Sequence, residues 1–304
     1  MAIVNGKFPL AILEYKKAFS LNGIHPFAKD YYNASLCAVQ LNSKKQTFIW
    51  IDRLLKEALN HKVIESDTSF TLITKSKSWK KYLKLKPNVY PKELLDTLQS
   101  LHSNDQHFRK MPGSYKIYGD TIRKIDVEND RILRSIIGQY GYPSEKLLGL
   151  SDGINFEHNF EIVIWHQTTA NQISDYTNIL INAAQNGLIV PQRAAALIEN
   201  QSGNIPYGMD AFLSIECLTC GDSLKNKLYK KLFYYEISKE RTAKFDLERA
   251  KIGLEPLDDY NRKVLFSLKN KKYKFYGIKG VPNYIFKEDK DVNSFIENLK
   301  SINE

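Results

Sequence analysis

Between Phe8 and Leu21 the apolar side chains Leu10, Leu13, Ala18 and Leu21, with Tyr15, fall at broadly helical spacing. That spacing predicts an amphipathic helix. Pro9 is tolerated in its first turn, where the N–H that proline lacks would have no partner. Asn22-Gly23 predicts the end of this helix and Pro26 the next start. Residues 27–41 carry Tyr32, Ala34, Leu36, Ala38 and Leu41, and residues 45–60 carry Phe48, Ile51, Leu54, Leu55 and Ala58. Both stretches read as helices with an apolar inner face. Asp67 is placed to cap a short helix with Phe70 and Ile73 inward. Trp79 and Leu83 anchor another, and Lys86-Pro87-Asn88 breaks the chain.

Beyond the break, helices are predicted over residues 91–110 and 120–140, the second with Ile122, Ile125, Ile132, Leu133, Ile136 and Ile137 as its stripe. Gly141 and Pro143 stop it. In the run after Asn159, Phe160, Ile162 and Ile164 alternate as in a strand, but Val163 and Trp165 make both sides apolar, which favours a buried helix. Further helices are expected at 170–186, ended by Gly187, and at 191–200, with Pro191 in the first turn. Residues 203–210 are a Gly- and Pro-containing linker. Residues 224–235 and 238–252 read as helices, Gly253 capping the latter. Residues 264–278 alternate weakly around Asn270-Lys271, as in a small β-hairpin, and residues 291–301 read as a last helix. Many helices and few strands predict a mainly α fold.

Ala34, Ala38 and Ala58 are small enough to let helix axes approach closely, with Tyr32 and Phe48 filling the gaps. The segment "YYNASLCAVQLNSKKQTFIWIDRLLKEAL" resembles the tetratricopeptide repeat, whose helix pairs of about 34 residues stack side by side. Residues 8–21 resemble the second helix of a preceding repeat, while Asn42 and Thr47 stand where small residues are usual. Roughly one and a half repeats are fewer than the ~3 of a free-standing solenoid. The expected organisation is therefore a tetratricopeptide-like region at 1–86 leaning on an α-rich domain at 87–304.

Composition narrows the classes. The chain has 304 residues, 43% hydrophobic and 12% aromatic, enough for one large or two modest cores and not the composition of a disordered chain. The formal charge is +10, from 44 Lys and Arg against 34 Asp and Glu. The densest basic run, Lys269, Lys271, Lys272 and Lys274 among Tyr273, Phe275 and Tyr276, has the ingredients of a phosphate-contacting, base-stacking strand. A solvated hairpin with one buried aromatic face is the reading that such charge runs favour. Three cysteines, Cys37, Cys217 and Cys220, are too few for a disulfide framework. Cys217 and Cys220 form a C-x-x-C with no second ligand pair nearby, so an element end and a turn are expected there, and no metal. No stretch reaches the ~18 apolar residues of a membrane span. The start lacks a basic segment followed by an apolar one. These features predict a soluble, cytoplasmic protein, or a periplasmic or secreted one if a signal peptide has been removed.

A second resemblance covers residues 94–260. "LQSLHSNDQHFR", "NDRILRSIIGQYGYPSEKLLG", His166-Gln167, "AAALIEN", "YGMD" and "ERAKIGLEPLDDY", in this order, resemble an uncharacterised bacterial domain family found in Bacteroidota and sometimes attached to helical repeats. The resemblance implies an α-rich fold and candidate positions, not a reaction. Where that family tends to carry Asp-Arg this chain has Glu199-Asn200, and Pro206 replaces an amide before Tyr-Gly. Both changes remove donors able to hold an anion. A family site there would be altered in this chain.

His166 is the leading candidate for chemistry. It follows an apolar run, at a partly buried mouth where its protonation is easily tuned. Glu199 and Tyr207, if brought close, would orient it or donate a proton. Asp105 and Arg109 have the four-residue spacing of a surface ion pair; alternatively Arg109 faces His166 and binds a carboxylate or phosphate. His102 and His107 fall on different helix faces and do not make a metal site with Asp105. No G-x-S-x-G, H-E-x-x-H or P-loop motif is present. Arg249 and the "IGLEPLDDY" segment read as structural.

The leading functional expectation is a protein- or peptide-binding scaffold without cofactor, its N-terminal helices offering a groove with Tyr32, Trp50 and Asp105 as contacts. The alternative is a hydrolase-type enzyme centred on His166 with Arg109, Glu199 and Tyr207. Nucleic-acid binding through Lys269–Lys274 is a weaker third.

Overall fold

The computed structural model describes residues 1–21, 25–150, 159–167, 174–275 and 281–303. The protein is mainly helical with a few short strands near the C-terminus, as the periodicity predicts. Among the described residues, no helix is long and apolar enough to cross a membrane.

The chain forms two compact units, Ala2–Asn204 and Ile205–Glu304, the second also including Met1. The division falls in the Gly- and Pro-containing linker, where Gly203 ends a helix at φ +69°, a backbone region that disfavours side chains. It does not fall at residue 87, where the expected boundary stood. Backbone pairing shows why. Asn88 donates its N–H to the Lys56 carbonyl and Leu150 donates to that of Glu57, each at 2.8 Å. Tyr90 also donates its hydroxyl to the Glu57 carboxylate at 2.7 Å. Residues on either side of 87 are thus stitched into one body.

The N-terminal unit starts with α1 (Phe8–Phe19), α2 (Ala28–Gln40) and α3 (Lys44–Lys56), packed in sequence. Ala34 and Ala38 are fully buried, and Trp50 lies beside them, with Ile12, Tyr15, Phe19 and Tyr31 packed on this cluster. The face that α1 turns inward is therefore Ala11, Ile12, Tyr15 and Phe19. Of the expected stripe, Tyr15 lies on this face, whereas Leu10, Leu13 and Leu21 are 43%, 49% and 56% exposed. The third helix stops at Lys56 rather than 60, because Ala58 takes φ +67°. The predicted stop at Asn22-Gly23 lies outside the described residues.

Short pieces follow: α4 (His61–Ser66), a 3-10 turn at Thr68–Phe70, α5 (Thr71–Thr74) and α6 (Trp79–Tyr82). Asp67 caps the turn by accepting the Ser69 N–H at 2.8 Å, with Phe70 and Ile73 buried as predicted. Then come α7 (Lys92–Arg109), α8 (Ser114–Tyr140), α9 (Glu145–Leu148), α10 (Glu161–His166), α11 (Thr177–Gln185) and α12 (Pro191–Ser202). The ambiguous run at 160–167 is the helix α10. It packs against α7, α8 and α12, with Phe160, Val163 and Ile164 at most 2% exposed. Apolar character on both sides of the run reflects burial from several directions.

The C-terminal unit contains β1 (Ser214–Cys217), α13 (Asp222–Leu228), β2 (Lys231–Tyr235), α14 (Lys239–Lys251), α15 (Leu257–Lys269), β3 (Asn283–Phe286), α16 (Asp289–Ile296) and β4 (Leu299–Asn303). β1 pairs in parallel with β3 and β2 antiparallel with β4, and a bridge between Leu213 and Phe233 links the pairs. Three expectations are corrected here. The helix predicted over 224–235 ends at Leu228, and Lys230, at φ +51°, turns the chain into β2, whose Leu-Phe-Tyr-Tyr suits a strand. The helix predicted over 291–301 is α16 followed by β4. The hairpin predicted over 264–278 is instead helix up to Lys269, because Leu257, Tyr260 and Val264 bury one helical face. Residues 276–278 of that expectation lie outside the described residues.

Candidate functional site

The site grows from a polar stripe on α8. Ile122, Asp126, Asn129, Asp130, Leu133 and Ile136 are buried at three- and four-residue steps, so one helix face carries both core aliphatics and acids. Facing it, α7 presents Asp105, 2% exposed, and Arg109 one turn later. The predicted surface ion pair is therefore buried: the side chains of Arg109 and Asp105 are 7% and 1% exposed, with Nη1 3.1 Å from Oδ1.

Arg109 serves both acids. Its Nη2 donates to the two carboxylate oxygens of Asp126 at 2.7 and 2.8 Å, its Nη1 to the Asp105 carbonyl at 2.8 Å, and its Nε to the Tyr115 hydroxyl at 3.0 Å. Burial works against charge at both ends of this pair. It pushes Asp126 above the usual carboxylate range in spite of Arg109. At Arg109 burial is outweighed by the hydrogen bonds to Asp126 and the field of Asp105, so the guanidinium holds its proton still more tightly.

His166 closes α10 with its Nδ1 2.8 Å from Asp105 Oδ1. The second oxygen of Asp105 accepts the Gln106 side-chain amide at 2.8 Å. The carboxylate is thus clamped on both oxygens, and the imidazole side chain stays one-fifth exposed. In the neutral ring, a proton on Nδ1 shared with Asp105 leaves the lone pair on Nε2.

Other contacts fix α10 in place. Glu161, at its start, accepts from the Tyr142 hydroxyl at 2.9 Å and from Arg193 Nε. Near its end, Asn200 Nδ2 donates to the Trp165 carbonyl at 2.6 Å. Asn200 therefore positions the residue before His166. Gln167, fully buried, donates to the Asp126 carbonyl at 3.2 Å. Its Oε1 has no hydrogen-bond partner among the described residues. One turn along α8, Asp130 accepts from the Tyr176 and Ser174 hydroxyls at 2.8 and 2.7 Å and from Arg134 at 3.2 Å.

His166, Asp105 and Arg109 come together, although Arg109 is occupied by Asp105 and Asp126. Glu199 lies half-buried on α12, its carbonyl accepting the Gly203 N–H at 3.0 Å. Tyr207 belongs to the other unit, where its carbonyl accepts Arg249 Nη1 at 2.6 Å. Arg249, fully buried, also binds the Glu255 carbonyl and lies over the Tyr260 ring, in keeping with its structural reading. Tyr32 and Trp50 are 2% and 4% exposed, Tyr32 donating to Asp67. Sequence reasoning missed Asp126 and Asp130, although both fall in helical phase with Ile122 and Leu133.

No protein family, curated protein or solved structure matches the chain.

Proposed function

We propose that the N-terminal unit is an acid–base enzyme of hydrolase type, with His166 as general base. The observation that supports this reading is the His166–Asp105 hydrogen bond, in which a buried, doubly clamped carboxylate orients a partly exposed imidazole. Nε2 takes a proton from water or a substrate hydroxyl, and Asp105 offsets the positive charge the ring then acquires. Arg109, Gln106 and Asn200 are positioning residues in this scheme.

The full chain should be assayed against chromogenic carboxylic esters, amides, phosphoesters and glycosides. At least one class is expected to turn over, falling by about 10²- to 10⁴-fold in His166→Ala and substantially in Asp105→Asn. Turnover no faster than in His166→Ala for every class rules the reading out.

A second reading, a tetratricopeptide-like binding surface for a protein or peptide, is favoured by one observation. Leu10 and Leu13 on α1 and Ile49 on α3 expose apolar side chains, 43 to 49% accessible, on the outer side of the first helices. On this reading Leu10→Glu/Leu13→Glu loses a partner that the wild-type chain retains in affinity purification. Equal recovery by both chains counts against it.

A further inference from the structure

Cys217 and Cys220 are joined by a disulfide in the C-terminal unit. Cys217 ends β1, and Cys220 precedes Gly221, the residue before α13. The bond encloses two intervening residues. By the loop-length relation, so short a loop restricts the unfolded chain far less than a long one would. β1 is already held by its pairing with β3, from Ser214 opposite Asn283 to Cys217 opposite Phe286. The fold makes little use of this bond as a staple.

A third potential ligand stands beside the two sulfurs. A carboxylate oxygen of Asp289 and both Sγ atoms lie within 4.8 Å of one another. The placement is built by the chain. Leu218 donates its N–H to the Phe286 carbonyl at 3.0 Å, and the Thr219 hydroxyl donates to the Lys287 carbonyl. The two residues between the cysteines are thereby tied to the two residues that lead into Glu288 and Asp289. Val292, fully buried in the same apolar cluster as Cys217 and Cys220, holds the first turn of α16 over them. The sulfur side is dry, Cys217 and Cys220 being 7% and 4% exposed, whereas Asp289 is open to solvent.

We propose that reduction of this disulfide creates a Zn²⁺ site formed by the Cys217 and Cys220 thiolates and the Asp289 carboxylate. Two equivalents of a low-molecular-weight thiol reduce the bond: the cystine becomes two thiols and the small thiols leave as one disulfide. Binding of one Zn²⁺ then releases the two thiol protons to solvent and forms two Zn–S bonds and one Zn–O bond. Thiolates with a carboxylate suit Zn²⁺, and three protein ligands leave a fourth tetrahedral position for water. Cu⁺, by contrast, is satisfied by soft thiolates alone. Because the same sulfurs form either the bond or the site, metal binding depends on redox state.

The test uses the full chain, reduced with a phosphine and desalted without oxygen. Zn²⁺ is titrated in competition with a chromophoric chelator, and Co²⁺ is used to read thiolate-to-metal absorption. The reduced protein is expected to bind one Zn²⁺ and the oxidised protein none. Cys217→Ser should abolish binding. Asp289→Ala, at an exposed position that leaves the core intact, should weaken it by at least the roughly 10- to 100-fold that outer-shell partners cost. Full-strength binding in Asp289→Ala overturns the proposal, as does reduced wild type binding no better than Cys217→Ser. If Cys217→Ser does not fold, as read by circular dichroism, Asp289→Ala decides.

Discussion

Arg109 stands between two carboxylates that would otherwise be buried without a counter-charge. Removing it leaves Asp105 and Asp126 facing each other in a poorly solvated site, a change that costs about 3–5 kcal/mol when one partner of a buried pair is lost. All three tryptophans, Trp50, Trp79 and Trp165, lie in the N-terminal unit, so their fluorescence reports that unit alone. Arg109→Met is expected to lower the urea midpoint of this signal strongly, and Arg109→Met/Asp126→Asn to recover part of the loss. An unchanged midpoint in the single variant would show the network to be solvated. At this scale the sequence was partly legible. The four-residue spacing of Asp105 and Arg109 announced a pair, and the position of His166 after an apolar run announced a half-buried ring. Sequence spacing carries no information on burial, however, so the pair read as a surface feature. Asp126 is hidden in the sequence because a stripe marked by aliphatic residues such as Ile122 and Leu133 gives no sign that acids share its face.

Among the helices, the connection between α9 and α2 has its own pH dependence. Glu145, at the start of α9, accepts the Ala28 N–H at the start of α2, 2.7 Å away. Burial raises the Glu145 carboxyl from 4.5 to about 7, with the Ala28 hydrogen bond opposing. The folded chain therefore holds this proton more tightly than the unfolded one. The sign follows: the contribution is complete below pH 4.5 and is lost as pH rises to about 7. Relative to Glu145→Gln, the wild type should lose on the order of 2–3 kcal/mol across that window. Tryptophan-monitored urea unfolding at several pH values checks this, and parallel curves for the two chains would refute it. Element identity itself was read best where one face repeats over several turns, as in α7, α8 and α12. It failed at Lys231–Tyr235 and Leu299–Asn303 because strands this short have too few residues to show a period. Their state is decided by pairing with each other, which is invisible along a single chain. On α1 the period was right and the face right only at Tyr15, since Ala11, Ile12 and Phe19 take the inside in place of the leucines.

For the whole molecule, the organisation into two units was legible only as a linker. Residues 203–210 carried the signal, but Pro87 looked like the stronger break, and the bonds of Lys56 and Glu57 to residues 88 and 150 could not be foreseen. The candidate site is a product of that larger N-terminal body: His166 and Asp105 are 61 positions apart, and α7, α8, α10 and α12 must all be docked for the hydrogen bond to exist. The proton position on His166 is therefore the most direct readout of the account. Imidazole ¹⁵N shifts of the full chain, assigned with His166→Gln, should show the neutral ring protonated on Nδ1 in wild type and moving towards the Nε2-protonated form in Asp105→Asn. A wild-type ring already protonated on Nε2, or one indifferent to Asp105→Asn, would contradict it.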